Sequence, residues 1–373
     1  LSWKRRHMIN LFHTYIAAHA GETIQKVLNS GFLSEGETVL EFENALEQNF
    51  GFSNCVSVNS GTSALHLALD LAGVKEGDEV ILPAQTFVAS GLAILYLKAI
   101  PVFADIDYFT GNISVASVKE KISPKTKALL PVHWGGYPCD MDELNALAHS
   151  HGLKVIEDAA HALGASYKQK AIGSLSDFTC FSFQAIKHLS TGDGGAVCCR
   201  SKEDYTEARS RRWFGINREK APLTELGERA YNISQAGYKY HMNNYAAALG
   251  LANLQDFELR FKKRTQIADL YRSSLHQQSG IRLFNYFTDR QSAYWLFGFH
   301  VEKRTDFIRK LKSAGITASV VHQRIDRNSV FGGLTKGLSA QEAFDESQIH
   351  IPIHDALSLE NAEYIINTIK QGW

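Results

Sequence analysis

The chain has 373 residues, of which 45% are hydrophobic and 21% are charged, so it is long enough for a large core and two subdomains. Lysine and arginine together number 39, as do aspartate and glutamate, and this balance gives no reason to expect a nucleic-acid or anionic-membrane partner. No apolar run reaches the roughly 18 residues needed to span a bilayer.

Helical and strand-like patterns alternate over most of the first 250 residues. The spacing of apolar residues predicts helices over residues 20–28, 37–50, 63–71, 87–97 and 141–151. Short apolar runs predict strands over residues 79–82, 101–104, 127–132, 153–156, 177–183 and 195–199. Such alternation indicates a mainly parallel sheet covered by helices, in which ligands bind beyond the carboxyl ends of the strands.

The pattern changes in the last third of the chain. We interpret the polar segment 218–229 as a flexible loop, and a long helical pattern follows from residue 243 to about residue 275. Beyond it the sequence predicts a small α+β unit with one strand and two helices, over residues 294–301, 306–314 and 358–370. We therefore expect a large domain over residues 1–250 and a small domain over 251–373 that includes the long linking helix.

The cysteines indicate a reducing compartment. Their number is odd and no Cys-x-x-Cys pair exists, so we interpret them as the reduced thiols of a cytoplasmic enzyme and expect no metal site. Residues 1–7 are basic but lead into no apolar signal core, and one interpretation is an expression remnant ahead of Met8. The five cysteines are Cys55, Cys139, Cys180, Cys198 and Cys199.

Lys187 and Asp158 are the candidate catalytic residues. Lys187 joins an apolar run to a glycine-rich segment, a setting that favours desolvation, which would lower the amine pKa and prepare it for imine formation. Asp158 ends an apolar strand, where a buried carboxylate could pair with the protonated nitrogen of a pyridine ring. The alternatives are an exposed loop lysine and a helix-capping aspartate, and Glu157 is the competing carboxylate.

Other residues extend this candidate site. Gly61 and Thr62 directly precede a predicted helix, whose first amide groups can bind a phosphate or can simply be capped. Phe87 follows a strand and could cover one face of a ring, or could belong to the core. His161 could bond a phenolic oxygen, and Ser182 could add a hydroxyl to the phosphate. Taken in this order along the chain, these residues describe a pyridoxal phosphate site.

Together these segments resemble the sugar aminotransferases of the DegT/StrS family. The match covers nearly the whole chain, and the order and spacing of its motifs are more specific than any single one. The matching segments are residues 30–36, 59–64, 83–87, 157–164, 182–195 and 237–250. The resemblance implies the α/β architecture of fold type I, with a mainly parallel seven-stranded sheet between helices and a small C-terminal α+β domain.

The resemblance also implies a role for each matching residue. Lys187 would form the Schiff base with pyridoxal phosphate and then move the proton, while Asp158 would pair with the pyridine nitrogen. Phe87 would stack on the ring, and His161 would hold its hydroxyl. The phosphate would be held by Gly61, Thr62 and Ser182.

By the same resemblance the protein is a homodimer whose active sites are shared between the subunits. In many members an asparagine at the third position of Gly-Tyr-x-Tyr contacts the phosphate from the partner subunit, whereas this chain has Lys239 there. Lys239 could supply that contact as a cation, or Asn243 or Asn244 could supply it. The predicted cofactor-binding set therefore includes Lys239 and Asn243.

The substrate implied by the resemblance is a nucleotide-linked keto sugar, a 4-keto-6-deoxy or 3-keto hexose, with L-glutamate as the amino donor. His322 falls where the family places a histidine near the sugar nucleotide. Arg324 and Arg327 could meet the diphosphate, because a guanidinium group suits it, or they could be exposed.

Two other functions are left open by the sequence. Some relatives are sugar dehydratases in which histidine replaces the Schiff-base lysine, and here His188 directly follows Lys187. Counting back from the glycine pair of the motif places Lys187 at the imine position, which favours transamination. A non-catalytic, regulatory member of the family is the third interpretation.

Overall fold

The structure, a computed structural model, describes residues 8–217 and 221–373. The segment 1–7 and the first three residues of the predicted loop at 218–229 lie outside the described residues. In the rest of that loop, Leu223 pairs with Arg229 in an isolated antiparallel bridge. No helix in the described part of the chain is long and apolar enough to cross a membrane. The cytoplasmic location stays a prediction.

Helices and strands alternate as the sequence predicts. The strands within the described ranges are β1 (Cys55–Val58), β2 (Glu79–Pro83), β3 (Ile100–Ala104), β4 (Thr126–Leu129), β5 (Lys154–Asp158), β6 (Ser166–Tyr167), β7 (Lys170–Ala171), β8 (Phe178–Ser182), β9 (Gly195–Cys199), β10 (Ile281–Leu283), β11 (Arg290–Gln291), β12 (Phe297–Val301) and β13 (Gln348–Ile351). The α-helices are α1 (Ala20–Ser30), α2 (Glu37–Phe50), α3 (Gly61–Leu71), α4 (Val88–Tyr96), α5 (Val115–Lys121), α6 (Met141–Ser150), α7 (Lys202–Arg211), α8 (Asn244–Leu254), α9 (Phe257–Leu275), α10 (Arg304–Ser313), α11 (Ser339–Ser347) and α12 (Leu359–Lys370).

Seven strands form one central sheet in the order β1-β9-β8-β5-β4-β2-β3. Strands β3, β2, β4, β5 and β8 pair in parallel, whereas β9 runs antiparallel to both of its neighbours. The prediction of a mainly parallel, seven-stranded sheet is confirmed. Strand β5 lies at the centre of the sheet, so Asp158 at its carboxyl end is placed in the middle of the sheet edge.

The two faces of the sheet are buried in separate hydrophobic clusters. Val155 of β5 belongs to the cluster formed with α2 and α6, and Ile156 belongs to the cluster formed with α3 and α4. Successive side chains of a strand point to opposite faces. Because both faces are covered, the strands are apolar along most of their length, as in other parallel sheets.

The C-terminal part has its own sheet and core. Strands β10, β12 and β13 form an antiparallel sheet, and side chains of α9, α10 and α12 pack with it in a third cluster. The prediction of one helix from 243 to 275 is wrong, because the chain breaks at Gln255–Asp256 into α8 and α9. Helix α8 packs against α1 and α2, whereas α9 packs against α12. Phe257 at the start of α9 still lies in the cluster of α8, and the later residues of α9 join the C-terminal core.

The predicted strand over 294–301 begins three residues later, at Phe297. Tyr294 has a φ of 49°, a left-handed conformation that is incompatible with an extended strand. The shortened strand leaves Tyr294 and Trp295 in a turn beside the central sheet. This turn brings Trp295 to the candidate site described below.

The N-terminal segment reaches the C-terminal part. The Ile9 N–H donates to the Gly315 carbonyl at 2.8 Å, and the Phe12 ring lies 5.2 Å from that of Trp295. The division of the chain near residue 250 stays a proposal. It is supported by the break between α8 and α9 and by the separate core of the C-terminal part.

Candidate active site

A cavity of about 300 Å³ lies at the carboxyl ends of β5 and β8 and beside the start of α3. Most of the site residues predicted from the sequence line this one cavity. They are Gly61, Thr62, Phe87, Asp158, His161, Ser182, Lys187 and His322. Lys239, Asn243 and Arg324 do not line it.

Lys187 lies in the loop that follows β8, where its backbone N–H donates to the Gln184 carbonyl at 2.9 Å. Burial of the amine lowers the pKa of Lys187 to about 7, against the opposing effect of the Asp158 carboxylate. An amine with this pKa is largely unprotonated at slightly alkaline pH. It can therefore attack a carbonyl group, which a typical surface lysine does poorly.

Asp158 is almost fully buried, with 6% of its surface exposed. Its Oδ2 accepts a hydrogen bond from Ser90 Oγ at 2.7 Å, and its Oδ1 accepts one from the Ala160 N–H at 3.1 Å. The carboxylate is thus held from two sides while it lines the cavity. A fixed, buried carboxylate suits a protonated ring nitrogen.

The competing carboxylate, Glu157, lies on the other face of the sheet. It accepts a hydrogen bond from Thr179 Oγ1 at 3.0 Å and another from His133 Nε2 at 2.8 Å. The backbone N–H of Cys139 donates to His133 Nδ1 at 3.1 Å, so the proton of this imidazole is on Nε2. Strand alternation therefore places Asp158, and not Glu157, in the cavity.

Two segments meet closely at one end of the cavity. A Cβ atom added to Gly61 would lie 2.9 Å from the Cβ of Ser182, so a larger residue at 61 would push the two segments apart. The Ser60 side chain caps α3 by accepting from the Ser63 N–H at 3.0 Å. The N-terminus of α3, with Thr62, therefore lies beside the Ser182 hydroxyl, an arrangement suited to a phosphate.

Phe87 and His322 lie at the opening of the cavity. The Phe87 side chain is 51% exposed, and its ring centroid lies 5.2 Å from that of His322 at a tilt of 42°. Burial, together with the nearby Lys187 amine, lowers the pKa of His322 to about 4. His322 is therefore neutral at physiological pH and can act there as a hydrogen-bonding group.

His161 stacks on Trp295, with ring centroids 3.8 Å apart and an angle of 13° between the planes. Burial lowers the pKa of His161 well below its usual value, and Lys187 and His322 add to this effect. Its Nδ1 is buried and has no hydrogen-bond partner within the described residues. A neutral imidazole with a free ring nitrogen suits the predicted bond to a ligand hydroxyl.

Lys239 and Asn243 lie outside the cavity of their own chain. The Lys239 amine is exposed and lies 4.5 Å from the centroid of the Trp213 ring. Asn243 caps α8 by accepting from the Ala246 N–H at 2.8 Å. The alternative residue Asn244 is buried, and its amide donates to the Phe32 carbonyl at 2.8 Å. Asn244 is therefore engaged in holding the segment before α2.

The predicted role of Arg324 at a diphosphate stays a prediction, and the contacts of its side chain argue against it. Its side chain is buried, and Nε and Nη2 donate to the two oxygens of Asp326 at 2.7 and 2.6 Å. Nη2 also donates to the Thr335 carbonyl at 3.1 Å. Such a forked ion pair engages the guanidinium group fully with the protein. Arg327 is exposed, and its Nη1 donates to Gln323 Oε1.

Sequence analysis missed three residues of the site. Thr86 and Ser90 lie beside Phe87, and their hydroxyls are 2.7 Å apart. Ser90 could have been found, because it follows Phe87 by three residues and so shares a helix face with it. Trp295 lies more than 100 residues from Lys187 along the chain, and no pattern in the sequence connects the two. Within the described ranges, no cluster of side chains suited to a metal ion was found.

The model of the DegT/DnrJ/EryC1/StrS aminotransferase family matches residues 14–370 of this chain. The chain belongs to this family. The resemblance stated from the motifs is confirmed, and the protein is an enzyme of the aminotransferase class. Aminotransferases of this family depend on pyridoxal phosphate.

Similar proteins match along their full length. The GDP-perosamine synthase of Escherichia coli O157:H7 is 32% identical, over 97% of this chain and 98% of that protein. The crystal structure of AtS13 from Actinomadura melliaura has a TM-score of 0.95 and 35% identity, covering 99% of this chain and 100% of that chain. The PLP-form structure of Spr1654 from Streptococcus pneumoniae has a TM-score of 0.90 and 29% identity, with 98% of each chain covered.

Proposed function

We propose that this protein is a pyridoxal phosphate-dependent aminotransferase that moves an amino group from L-glutamate to a nucleotide-linked keto sugar. One observation carries the proposal. Lys187, Asp158 and the N-terminus of α3 line a single cavity, although they come from three separate segments of the chain. Imine formation, ring protonation and phosphate binding each need one of these three elements.

The residues of the cavity fit the cofactor. Pyridoxal phosphate would place its phosphate against Gly61, Thr62 and Ser182, its ring nitrogen at Asp158 and its ring hydroxyl at His161. The close approach of Gly61 and Ser182 and the unpartnered Nδ1 of His161 support this placement. When bound, the cofactor supplies an aldehyde for imine formation and a ring that withdraws electrons.

Three residues of the chain have separate roles in the proposed reaction. Lys187 would hold the cofactor through its amine and, when free, would take and return the proton at the substrate carbon, since its pKa of about 7 suits both roles. Asp158 would hold the ring nitrogen in its protonated form, because its carboxylate is buried and fixed by two hydrogen bonds. Phe87 would cover the open face of the ring and limit access of water.

The acceptor is proposed to be a 4-keto-6-deoxy or 3-keto hexose linked to a nucleotide. Support comes from a relative: the E. coli protein that is 32% identical is a GDP-perosamine synthase, and perosamine is an amino sugar carried on a nucleotide. The exposed side of the cavity, at Phe87 and His322, is where such a substrate could enter. Neutral His322 would bond to the sugar, and the diphosphate would need cations other than Arg324.

Dehydratase chemistry is the second candidate function, and the position of His188 is evidence against it. His188 is buried, and its Nε2 donates to the Ala293 carbonyl at 2.8 Å, so this ring does not line the cavity. Lys187 takes the place beside Asp158 instead. A purely regulatory role is disfavoured because lysine, carboxylate and phosphate turn are all present together.

We further propose a homodimer in which Lys239 or Asn243 of one subunit completes the phosphate site of the other. Neither residue reaches the cavity of its own chain. Large apolar side chains are exposed on neighbouring segments, as expected for a surface that is covered in an assembly. They include Phe32, Leu33, Phe214 and Tyr245.

The test is the visible absorption spectrum of the protein with pyridoxal phosphate, before and after addition of L-glutamate. We expect a yellow band that glutamate bleaches. A yellow protein that glutamate leaves unchanged would point to another donor, to dehydratase chemistry or to a regulator. The Lys187→Ala variant should bind the cofactor without turnover, and near-normal turnover in this variant would exclude the assignment.

A further inference from the structure

Trp295 joins the C-terminal part of the chain to the candidate site. It lies in the turn before β12, and its side chain is 1% exposed although it lines the cavity. Its indole N–H donates to the Ile186 carbonyl at 3.1 Å, so it holds the backbone next to Lys187. The Phe12 and His161 rings stack on it and fix its orientation.

The Lys187 amine lies over the indole ring, with Nζ 3.6 Å from the ring centroid. This distance is well inside the limit of about 6 Å for a cation–π contact, and tryptophan is the aromatic residue that binds a cation best. Holding the cofactor does not require such a contact, because the amine would be bonded to the cofactor in that state. The contact therefore belongs to the states in which Lys187 is free.

We propose that Trp295 is a positioning residue whose indole face receives the Lys187 amine whenever this amine is not bonded to the cofactor. The proposal rests on the proposed function, because it takes Lys187 as the imine-forming residue. During turnover the amino group of the donor would displace the Lys187 amine, which would then stay free until the aminated sugar leaves. An amine held on the indole face stays inside the cavity, close to the substrate carbon that it must deprotonate.

The other charged and titratable groups around Lys187 do not offer a comparable binding position for the free amine. Asp158 is engaged with Ser90 and Ala160 and favours the charged amine. His161, His188 and His322 all have lowered pKa values and are neutral. Asp193 also lines the cavity, but the carboxylate that acts on the pKa of Lys187 is that of Asp158. Trp295 is the aromatic face on which the described structure places the amine.

The first test uses the cofactor-free, full-length protein and the fluorescence of tryptophan as the pH is varied around 7. Indole emission responds to a charge held over the ring, so we expect a titration that follows Lys187. The titration should be absent in Lys187→Met and in Trp295→Phe. It should persist in Trp134→Phe, because the Lys187 amine lies over Trp295 and the Trp134 ring contacts His161 and His322 instead.

The second test measures how fast the cofactor-free protein captures pyridoxal phosphate as a function of pH. The indole face favours the charged amine, so its removal in Trp295→Leu should move the midpoint of this profile down by about 0.5–1 pH unit. Trp295→Phe keeps a weaker aromatic face and should shift less. A role limited to packing would slow capture without moving the midpoint.

The two tests separate this proposal from the proposed function. A wild-type emission that does not titrate near pH 7, or a titration that persists in Lys187→Met, would overturn the role of Trp295 even if the enzyme is active. A protein that titrates as expected but captures no pyridoxal phosphate would instead overturn the proposed function. Unchanged capture midpoints in both Trp295 variants would also contradict the positioning role.

Discussion

Ser90 Oγ donates a hydrogen bond to Asp158 Oδ2 across 2.7 Å, and the hydroxyl of Thr86 lies 2.7 Å from Ser90 Oγ in turn. Both hydroxyl residues are buried, with at most 1% of their surface exposed. They stand on either side of Phe87 at the start of α4, so one short segment both covers the cavity and holds its carboxylate. The orientation of Asp158 therefore depends on α4 as well as on its own strand.

Ser90→Ala should weaken cofactor binding. The loss of a hydrogen bond to a charged group corresponds to about 1.5–3 kcal/mol, so we expect the dissociation constant of pyridoxal phosphate to rise by about 10-fold or more. The measurement is a titration of the visible band. The control is Ser114→Ala, which removes the helix cap of α5 far from the cavity and should leave cofactor binding unchanged. Equal affinity for pyridoxal phosphate in the wild-type and Ser90→Ala proteins would contradict the proposal that Ser90 orients Asp158.

Asp158→Asn should abolish most of the activity while the protein stays folded, because a neutral amide cannot keep the ring nitrogen protonated. We expect kcat to fall by at least about 100-fold, equivalent to some 2.7 kcal/mol of lost stabilisation. Glu157→Gln is the matched control on the same strand. It should reduce thermal stability, because His133 and Thr179 bind this carboxylate, and reduce kcat far less. A larger loss of kcat in Glu157→Gln than in Asp158→Asn would show that the wrong carboxylate was chosen.

The cofactor-free protein should gain stability with pH because of Lys187. The pKa of Lys187 is lowered from 10.5 to about 7, so between these values the unfolded chain binds a proton that the folded chain does not. The contribution of Lys187 to the free energy of unfolding therefore rises with pH between these two pKa values. Below the lower value, the buried ammonium group destabilises the folded protein to its full extent.

Lys187→Met should remove this effect. We expect its melting temperature to exceed that of the wild type at pH 7 by roughly 1–3 °C, with the difference shrinking toward pH 10.5. The measurement is thermal unfolding of both cofactor-free proteins over this pH range. Lys312→Met, at an exposed position on α10, controls for the loss of a lysine as such. A difference that grows with pH would contradict a buried, desolvated amine.

Arg324→Ala should act on stability and not on the substrate. It would leave the Asp326 carboxylate buried and without its partner, which costs about 3–5 kcal/mol in comparable cases. We expect a clear drop in melting temperature with little change in KM for the sugar nucleotide where the variant folds. Arg327→Ala, at an exposed position, should be close to neutral for stability. A raised KM without a loss of stability in Arg324→Ala would restore the diphosphate role.

The sequence predicted most of the fold because its signals are local. Apolar runs mark the buried strands of the central sheet, and the residues that follow them meet at one edge of it, which is why Asp158, Ser182 and Lys187 come together. The break between α8 and α9 could not be predicted, because neither Gln255 nor Asp256 is a helix breaker. The break follows from two cores that only the folded chain contains.

The missed site residues and the unsupported role of Arg324 share a physical cause. Trp295 reaches the cavity through the left-handed turn at Tyr294 and the packing of the C-terminal part, which are contacts between distant segments. Arg324 follows the candidate substrate residue His322 by two positions, yet Asp326, two positions later, binds its guanidinium group. Charge and position along the chain do not reveal whether an arginine already has a partner.

The most direct measurement of the central claim is to reduce the protein–pyridoxal phosphate complex with borohydride and to locate the modified residue by peptide mass mapping. Reduction fixes the amine that holds the cofactor, so the result names one residue. The account predicts the label on Lys187, with Lys187→Met unlabelled. A label on another lysine, or a label in the Lys187→Met protein equal to that in the wild type, would contradict it.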